Sequence, residues 1–482
     1  MAIPNGRAGA RVSKTSDFRE FREYWANGSS MSVFMDNLEP STTYFAKGLY
    51  DTGSEIAVQV DYATFQTEAH YFYFENKNDY DITLTVSNGL NFTPDLEYLQ
   101  NGTWTALGFE GGDESITIPT GTRVYFRGDN PTVSQSRTGL TNEKLSFACA
   151  DDIYSGGNIM TLLDRSGKQD YMTYPAFCGM FYGFTHLKSA PELPATALSE
   201  KCYQYMFGGC TNLAKAPALP ATTLANSCYS AMFYGCTNLK TAPNLPATTL
   251  AEKCYSTMFQ NCTNLAKAPA LPATTLADNC YIMMFLDCIS LATPPALPAT
   301  TLTRSCYSRM FEGCTSIQTT PQLPATTLAP TCYSQMFRGC TNLVNAEDFP
   351  NATLDESCCA SMFWGCTSLE TAPAVPVTGL RNRCYEFMFA HCTALTTAPE
   401  LGGGDLGQDC YKGMFSDCTS LDKVVVLDGT SFDNNGDGSY SHTDWLSNVA
   451  ASGTLYVPDA MVASVPNNST SGAPTGWNVD HP

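Results

Sequence analysis

Cysteine is the side chain with the most chemistry to offer here, because its twenty-one copies are spaced by rule. One series stands at Cys202, Cys228, Cys254, Cys280, Cys306, Cys332, Cys358, Cys384 and Cys410, and a second follows each member by eight residues, from Cys210 to Cys418. Such thiols could form disulfides, hold zinc or fill a core. If the segment between them is helical, their Cα atoms lie about 12 Å apart, beyond the roughly 7 Å that a disulfide spans. No Cys-x-x-Cys pair occurs and histidine is scarce, which argues against tetrahedral zinc. Columns of buried free thiols, acting as small apolar fillers, are therefore expected. Cys358-Cys359, where the second replaces a tyrosine, is the one vicinal pair.

A cation loop is the second candidate. Asp433, Asn435, Asp437, Ser439, Ser441 and Asp444 fall at the ligand positions of a calcium loop, with Gly438 at its tight turn. In that reading Asp444 to Val449 opens the exiting helix. The competing reading is an Asn/Gly-rich loop with Thr443 as a helix N-cap; the strand-like Val424 to Leu427 before it, and Asp rather than Glu at the last ligand position, favour this one. No other cofactor is expected. His70, His186, His391, His442 and His481 sit in no triad or metal spacing, and Gly402-Gly403-Gly404 lacks the Lys-Ser/Thr of a phosphate loop. The chain is expected not to be an enzyme.

The frame that positions these residues repeats nine times at a 26-residue interval: Leu-Pro-Ala-Thr-Thr-Leu, then Cys-Tyr, then Met-Phe-x-Gly-Cys-Thr-Asn-Leu. Each repeat should be one supersecondary unit stacked on the next in a solenoid. Leu224, Cys228 and Met232 recur at i, i+4 and i+8, with Tyr229, Phe233 and Cys236 beside them, which predicts an amphipathic helix capped by Thr222 or Thr223. It should end at the residue before the second cysteine. That position reads Gly209, Gly235, Asn261, Asp287, Gly313, Gly339, Gly365, His391 and Asp417, mostly types that tolerate left-handed backbone. Residues 239–246, with an Ala-Pro-x-Leu-Pro core, predict a short, imperfect strand, because proline gives the ladder no donor. The tyrosines at 203, 229, 255, 281, 307, 333, 385 and 411 could stack sugar rings. Each lies four residues before a phenylalanine of the same face, so core packing is the stronger reading.

Residues 1–30 are polar and read as an attachment arm, with no sustained strand pattern before Met31. Residues 31–68 read as a short β segment, faintly like part of a fibronectin type III module, and 69–150 as a β-sandwich-like domain with a type I′ hairpin at Asn101-Gly102. A degenerate cap repeat is expected over 151–192, the solenoid over 193–427, and a C-terminal cap and tail over 428–482. The expected fold class is α+β: a solenoid of about ten 26-residue units preceded by a small β-sandwich. Met1 to Tyr24 has no apolar stretch of signal-peptide type. Twenty-six basic against forty-six acidic residues give a net charge of −20, which repels phosphate backbones and anionic membranes. Neither nucleic acid binding nor membrane insertion is expected.

The repeats also serve as an internal comparison, in which constant positions build the core and varied ones are free for partners. One varied position reads Gly208, Tyr234, Gln260, Leu286, Glu312, Arg338, Trp364, Ala390 and Ser416, and a varied pair after the tyrosine includes Ile282, Arg309 and Phe387. Exposed Leu286, Ile282, Trp364 and Phe387 would make apolar patches of the kind that mark interaction sites. A neutrally drifting solvated ridge is the alternative.

The block Met232 to Leu239 resembles the Ala-Phe-x-x-Cys-x-x-Leu signature of bacterial BspA-like leucine-rich repeats, with methionine for alanine and prolines in the strand; the likeness covers about 176 to 427. The β-rich segment before the repeats and the tail at Gly476-Trp477 are similar to those of repeat proteins of gut Bacteroidales and their phages. The resemblance implies a leucine-rich-repeat solenoid and a non-enzymatic binding or adhesion protein. Placed on a phage virion as a fibre, it would dock on other virion proteins through its N-terminal region and recognise a host surface protein or glycan. Fibres of this kind are usually homo-oligomers, commonly trimers. A bacterial cell-surface adhesin and a structural or decorative capsid component are the alternatives.

Overall fold

The structure, a computed structural model, describes residues 7–13, 22–25, 43–51, 56–66, 70–109, 112–134, 143–172, 175–404, 406–429, 441–468 and 471–481. Strands β1 (Arg7–Ser13), β2 (Arg22–Trp25), β3 (Thr43–Asp51) and β4 (Ile56–Gln66) form an antiparallel sheet in the order β2-β1-β3-β4. Two strands thus fall before Met31, where none was expected. Arg7–Ser13 carries no apolar alternation, yet it pairs along its whole length with β3, from Arg7 opposite Asp51 to Ser13 opposite Phe45. Backbone pairing, not side-chain pattern, makes it a strand.

Nine strands follow: β5 (Phe72–Glu75), β6 (Ile82–Asn88), β7 (Glu97–Gln100), β8 (Thr103–Ala106), β9 (Glu114–Ile118), β10 (Arg123–Arg127), β11 (Leu145–Cys149), β12 (Ile153–Gly156) and β13 (Leu187–Ser189). They make a six-stranded sheet, β13-β12-β5-β10-β7-β8, and a three-stranded one, β11-β6-β9. Strict alternation sends Phe72, Phe74, Val124 and Phe126 of the first and Ile82, Leu84, Val86 and Phe147 of the second into one core. Asn101 and Gly102 have φ of 52° and 80°, the paired positive values of a type I′ turn, and they join β7 to β8. This core runs on into the repeats. The Phe181 ring lies 6.0 Å from Phe72 and 6.1 Å from Phe147, and β12 pairs with both β5 and β13.

Among the described residues the repeats contain no helix. Between the two cysteines the chain makes consecutive β-turns that advance two residues at a time. In the second repeat Cys228, Ser230, Met232, Tyr234 and Cys236 donate their N–H groups three residues back, at 3.0–3.2 Å. The alternate residues Ser227, Tyr229, Ala231, Phe233 and Gly235 donate to Glu252, Cys254, Ser256, Met258 and Gln260 of the next repeat, at 2.8–3.1 Å. Half of the backbone donors therefore leave the segment, which an α-helix does not allow. The helix was expected because the ribbon's own period of four residues mimics helical spacing, from which it departs by only about 40° per step. Every fourth residue takes positive φ, as at Ser227 (56°), Ala231 (54°) and Gly235 (67°), the sign that type II turns require at their third position. All nine residues before the second cysteine, from Gly209 to Asp417, have this left-handed backbone.

The α part of the expected α+β class is thereby corrected. Among the described residues the only α-helix is α1 (Asp459–Val462), and none is long and apolar enough to cross a membrane. The proline-bearing segments are barely strands: parallel pairing shrinks to isolated bridges such as Thr241 with Lys267 and Thr249 with Thr275, on either side of the prolines. Where proline disappears, strands return. Glu400–Leu401 (β14), Lys423–Val426 (β15), Gly453–Tyr456 (β16) and Trp477–Asp480 (β17) form a parallel sheet in chain order. The Gly402-Gly403 pair has a packing reason, since a Cβ at these positions would overlap the carbonyl oxygens of Val377 and Asp428.

Stacking turns each constant position into a column. The phenylalanine rings from Phe181 to Phe415 form an unbroken series at 5.4–5.8 Å. The tyrosines from Tyr203 to Tyr333 stack at 5.7–5.9 Å, and the column is interrupted at Cys359. Tyr203 to Tyr411 are all buried, so they pack the core. All twenty-one cysteines are free thiols, and all but the half-buried Cys149 are buried. In each of the nine repeats the second thiol donates to the carbonyl of the phenylalanine twenty-nine residues earlier, at 3.0–3.2 Å. Burial pushes Cys228 and Cys306 up to about 12; Cys358 alone in the columns is held low, by its hydrogen bond with the Cys359 thiol. Access decides labelling, so a bulky maleimide should reach the half-buried Cys149 alone in folded protein and the other twenty only in denaturant. Mass spectrometry of the labelled protein checks this.

Candidate interaction surface

The turn ribbons put the varied positions on one edge of the stack. Tyr234, Gln260, Ile282, Arg309, Glu312, Arg338, Trp364 and Phe387 are half-buried, and Leu286 is buried at 8 % exposure. Leu286, Ile282, Trp364 and Phe387 therefore do not form exposed apolar patches. Several of the side chains along this edge meet one from a neighbouring coil.

At the N-terminal end the ridge is aromatic: Tyr182 meets Tyr205 edge-to-face at 5.9 Å, and Tyr205 meets Tyr234 at 6.3 Å. Toward the C-terminus it is a chain of charged and planar groups. Arg309 pairs with Glu312, and Arg338 reaches Glu312 at 3.9 Å. The Arg338 guanidinium lies 4.3 Å above the Trp364 ring, and His391 meets that ring at 4.7 Å. His391 stands 3.4 Å from Asp417, whose carboxylate accepts from Asn448 at 2.8 Å. Phe387 has its place because Gly413 follows one coil later, where a Cβ would overlap its ring. Tyr182 and Arg383 belong to the same edge and escaped notice as site residues, Tyr182 because its repeat is degenerate; Lys412, of the varied pair after the tyrosine, lies 3.5 Å from Glu386 on that edge. The repeat-to-repeat register of Tyr182 with Gly208 was the available signal.

The calcium reading meets a different structure. Asp433, Asn435, Asp437 and Ser439 lie outside the described residues. Ser441 and Asp444 belong to a further turn ribbon, 441–448, that accepts from Tyr411, Gly413, Phe415 and Asp417 through Ser441, Thr443, Trp445 and Ser447 at 2.7–2.9 Å. Asp444 has the left-handed φ of the ribbon, 56°. The helix that would leave a calcium loop, or be capped by Thr443, is replaced by turns. Among the described residues no group of three or more His, Cys, Asp or Glu side chains could hold a metal.

The family model of the BspA type leucine rich repeat region matches residues 179–318 and 283–396, in six copies. The coils are similar to BspA-type leucine-rich repeats. No curated protein and no solved structure matches the chain. Leucine-rich repeats point to protein interaction or adhesion and are generally not catalytic. In these coils the constant Cys, Tyr, Met and Phe positions are all consumed by the core, which leaves the varied ridge and the proline side as the surfaces open to a partner.

Proposed function

We propose that the chain is a leucine-rich-repeat solenoid acting as a non-enzymatic adhesion protein, a fibre or surface-displayed component of a phage virion. Its varied ridge recognises a host surface protein or glycan, its N-terminal region docks on other virion proteins, and the assembled fibre is a homo-oligomer. One observation carries this reading: nine near-identical coils differ chiefly where side chains are half-exposed and neighbour one another along a single edge. Such an edge presents planar aromatic and guanidinium groups, the types that dominate binding energy at interfaces.

Mass spectrometry of purified virions should find the chain, and host adsorption should weaken about tenfold or more when Trp364→Ala removes the ring between Arg338 and His391. Absence from particles favours a bacterial surface adhesin. Presence with unchanged adsorption after deletion favours a decorative capsid role.

A further inference from the structure

The ridge divides into two halves of different chemistry. From Arg309 onward its varied positions carry charge, at Arg309, Glu312, Arg338, Glu386 and Lys412. From Tyr182 to Gln260 the same positions carry none. They hold three tyrosines, the hydroxyls of Ser230, Ser256 and Thr257 and the amides of Gln204 and Gln260. At the start of these ribbons Lys201 and Lys253 are answered by Glu200 at 3.5 Å and Glu252 at 2.7 Å. An uncharged, hydrogen-bonding strip therefore runs along an otherwise acidic chain.

The tyrosines of this strip are the ridge's own, not those of the buried column, and Gly208 brings them together. A Cβ there would stand 2.9 Å from Cδ2 of Tyr182 and 3.3 Å from Cδ1 of Tyr205, so bare backbone lets both rings close over a position that Tyr234 and Gln260 fill in the next coils. The result is a corner. The Tyr182 and Tyr205 rings stand 5.9 Å apart at 83°, and Tyr234 extends the corner at 6.3 Å and 67°. The Lys144 ammonium lies 5.5 Å from the Tyr182 ring, yet that ring stays 41 % exposed. Among the described residues the three phenol hydroxyls make no hydrogen bond.

We propose that this corner binds a neutral oligosaccharide. The assignment rests on the ridge being the binding edge and gives the glycan to its N-terminal half. A pyranose has a C–H face and a rim of hydroxyls. Its C–H groups lie against the electron-rich faces of the phenol rings, and its hydroxyls exchange hydrogen bonds with Tyr, Ser, Thr and Gln side chains, all of which both donate and accept. An anionic sugar finds no cation to pair with here, and the net charge of −20 repels it. A protein partner needs about 800 Å² on each side, whereas the three rings span only two coil spacings, about 9.6 Å.

A printed array of neutral and acidic oligosaccharides, probed with the full chain, tests the assignment. Binding to neutral members is expected, with little dependence on salt. Two substitutions copy the neighbouring coil and so keep the ribbon: Tyr205→Ala reproduces Ala231, which shares its φ of 54°, and Tyr234→Gln reproduces Gln260. Each should weaken binding about fivefold or more with melting unchanged. Val344→Ser, at an exposed site off the ridge, should change nothing. The receptor role of the ridge is read separately, by adsorption of virions carrying Trp364→Ala, so failure of that role and failure of the sugar site give different results. No array binding by the wild-type chain, preference for sialylated or sulfated members, or full binding by both tyrosine variants would each overturn the proposal.

Discussion

Phe285→Ala is expected to cost about 3–5 kcal/mol and to break the stack into two cooperative parts. Phe285 is fully buried, with ring neighbours Phe259 and Phe311 at 5.6 and 5.7 Å. Truncation opens a cavity facing both adjacent coils. Those coils cannot close it, because their separation is held by backbone hydrogen bonds such as Phe259 to Met284 and Phe285 to Met310, both 2.9 Å. In a linear array stability is the sum of each unit and its two interfaces, and this one change weakens two interfaces at the centre. Urea unfolding should turn from one transition into two, with hydrogen exchange rising first over residues 270–320. A loss under about 1 kcal/mol, or a single unbroken transition, would mean that the phenylalanine column is not what couples the coils.

How much of this was legible beforehand depends on which interaction decides each element. The sandwich strands follow side-chain alternation, and Phe72, Leu84 and Val124 announce themselves by period two. The left-handed positions could be named because few residue types tolerate them, and Gly235, Asn261 and His391 share little else. The turn ribbon was hidden for the opposite reason. Cys228, Met232 and Cys236 repeat every four residues in a helix and in the ribbon alike, and only the destination of the Tyr229 and Phe233 N–H groups distinguishes the two. That destination is a neighbouring coil, which local pattern does not encode. The prolines were read correctly as strand breakers, and the return of pairing at Val424 to Val426 supports that cause. On the ridge, the varied positions could be listed from the repeats, but their burial could not. Whether Leu286 faces water depends on what Arg309, Glu312 and their neighbours cover.

The same logic exposes a coil that the period concealed. Ser441, His442, Trp445 and Leu446 take the places of the first Cys, the Tyr, the Met and the Phe in a last ribbon, displaced by five residues from the 26-residue interval. Its substitutes are larger or more polar, and the sandwich at the other end of the stack covers the first ribbon as this one, with β16 and β17, covers the last. Both ends of the sulfur and aromatic columns are closed by residues outside the repeat.

Acid should release that C-terminal cover first. His442 occupies the tyrosine column, 5.7 Å from the Tyr411 ring and 5.0 Å from Trp445, and is fully buried. Burial alone pulls it down to about 3, from an ordinary value of 6.5. A histidine held neutral in the fold but free to protonate when unfolded contributes stability that is complete above pH 6.5. It is lost progressively as pH falls from there toward 3. At about 1.4 kcal/mol per pH unit, roughly 2.7 kcal/mol should be gone by pH 4.5. Hydrogen exchange over 441–456 and thermal melting, compared between pH 7 and 4.5, measure the loss. His442→Phe keeps a ring in the column and removes the titration, so the variant should lose less stability than the wild-type chain over that range. Carboxylate pairs such as Glu97 with Arg127 and Arg165 weaken in acid in both proteins and cancel in the difference. Equal acid sensitivity of the two would assign the whole effect to those carboxylates and remove His442 from the account.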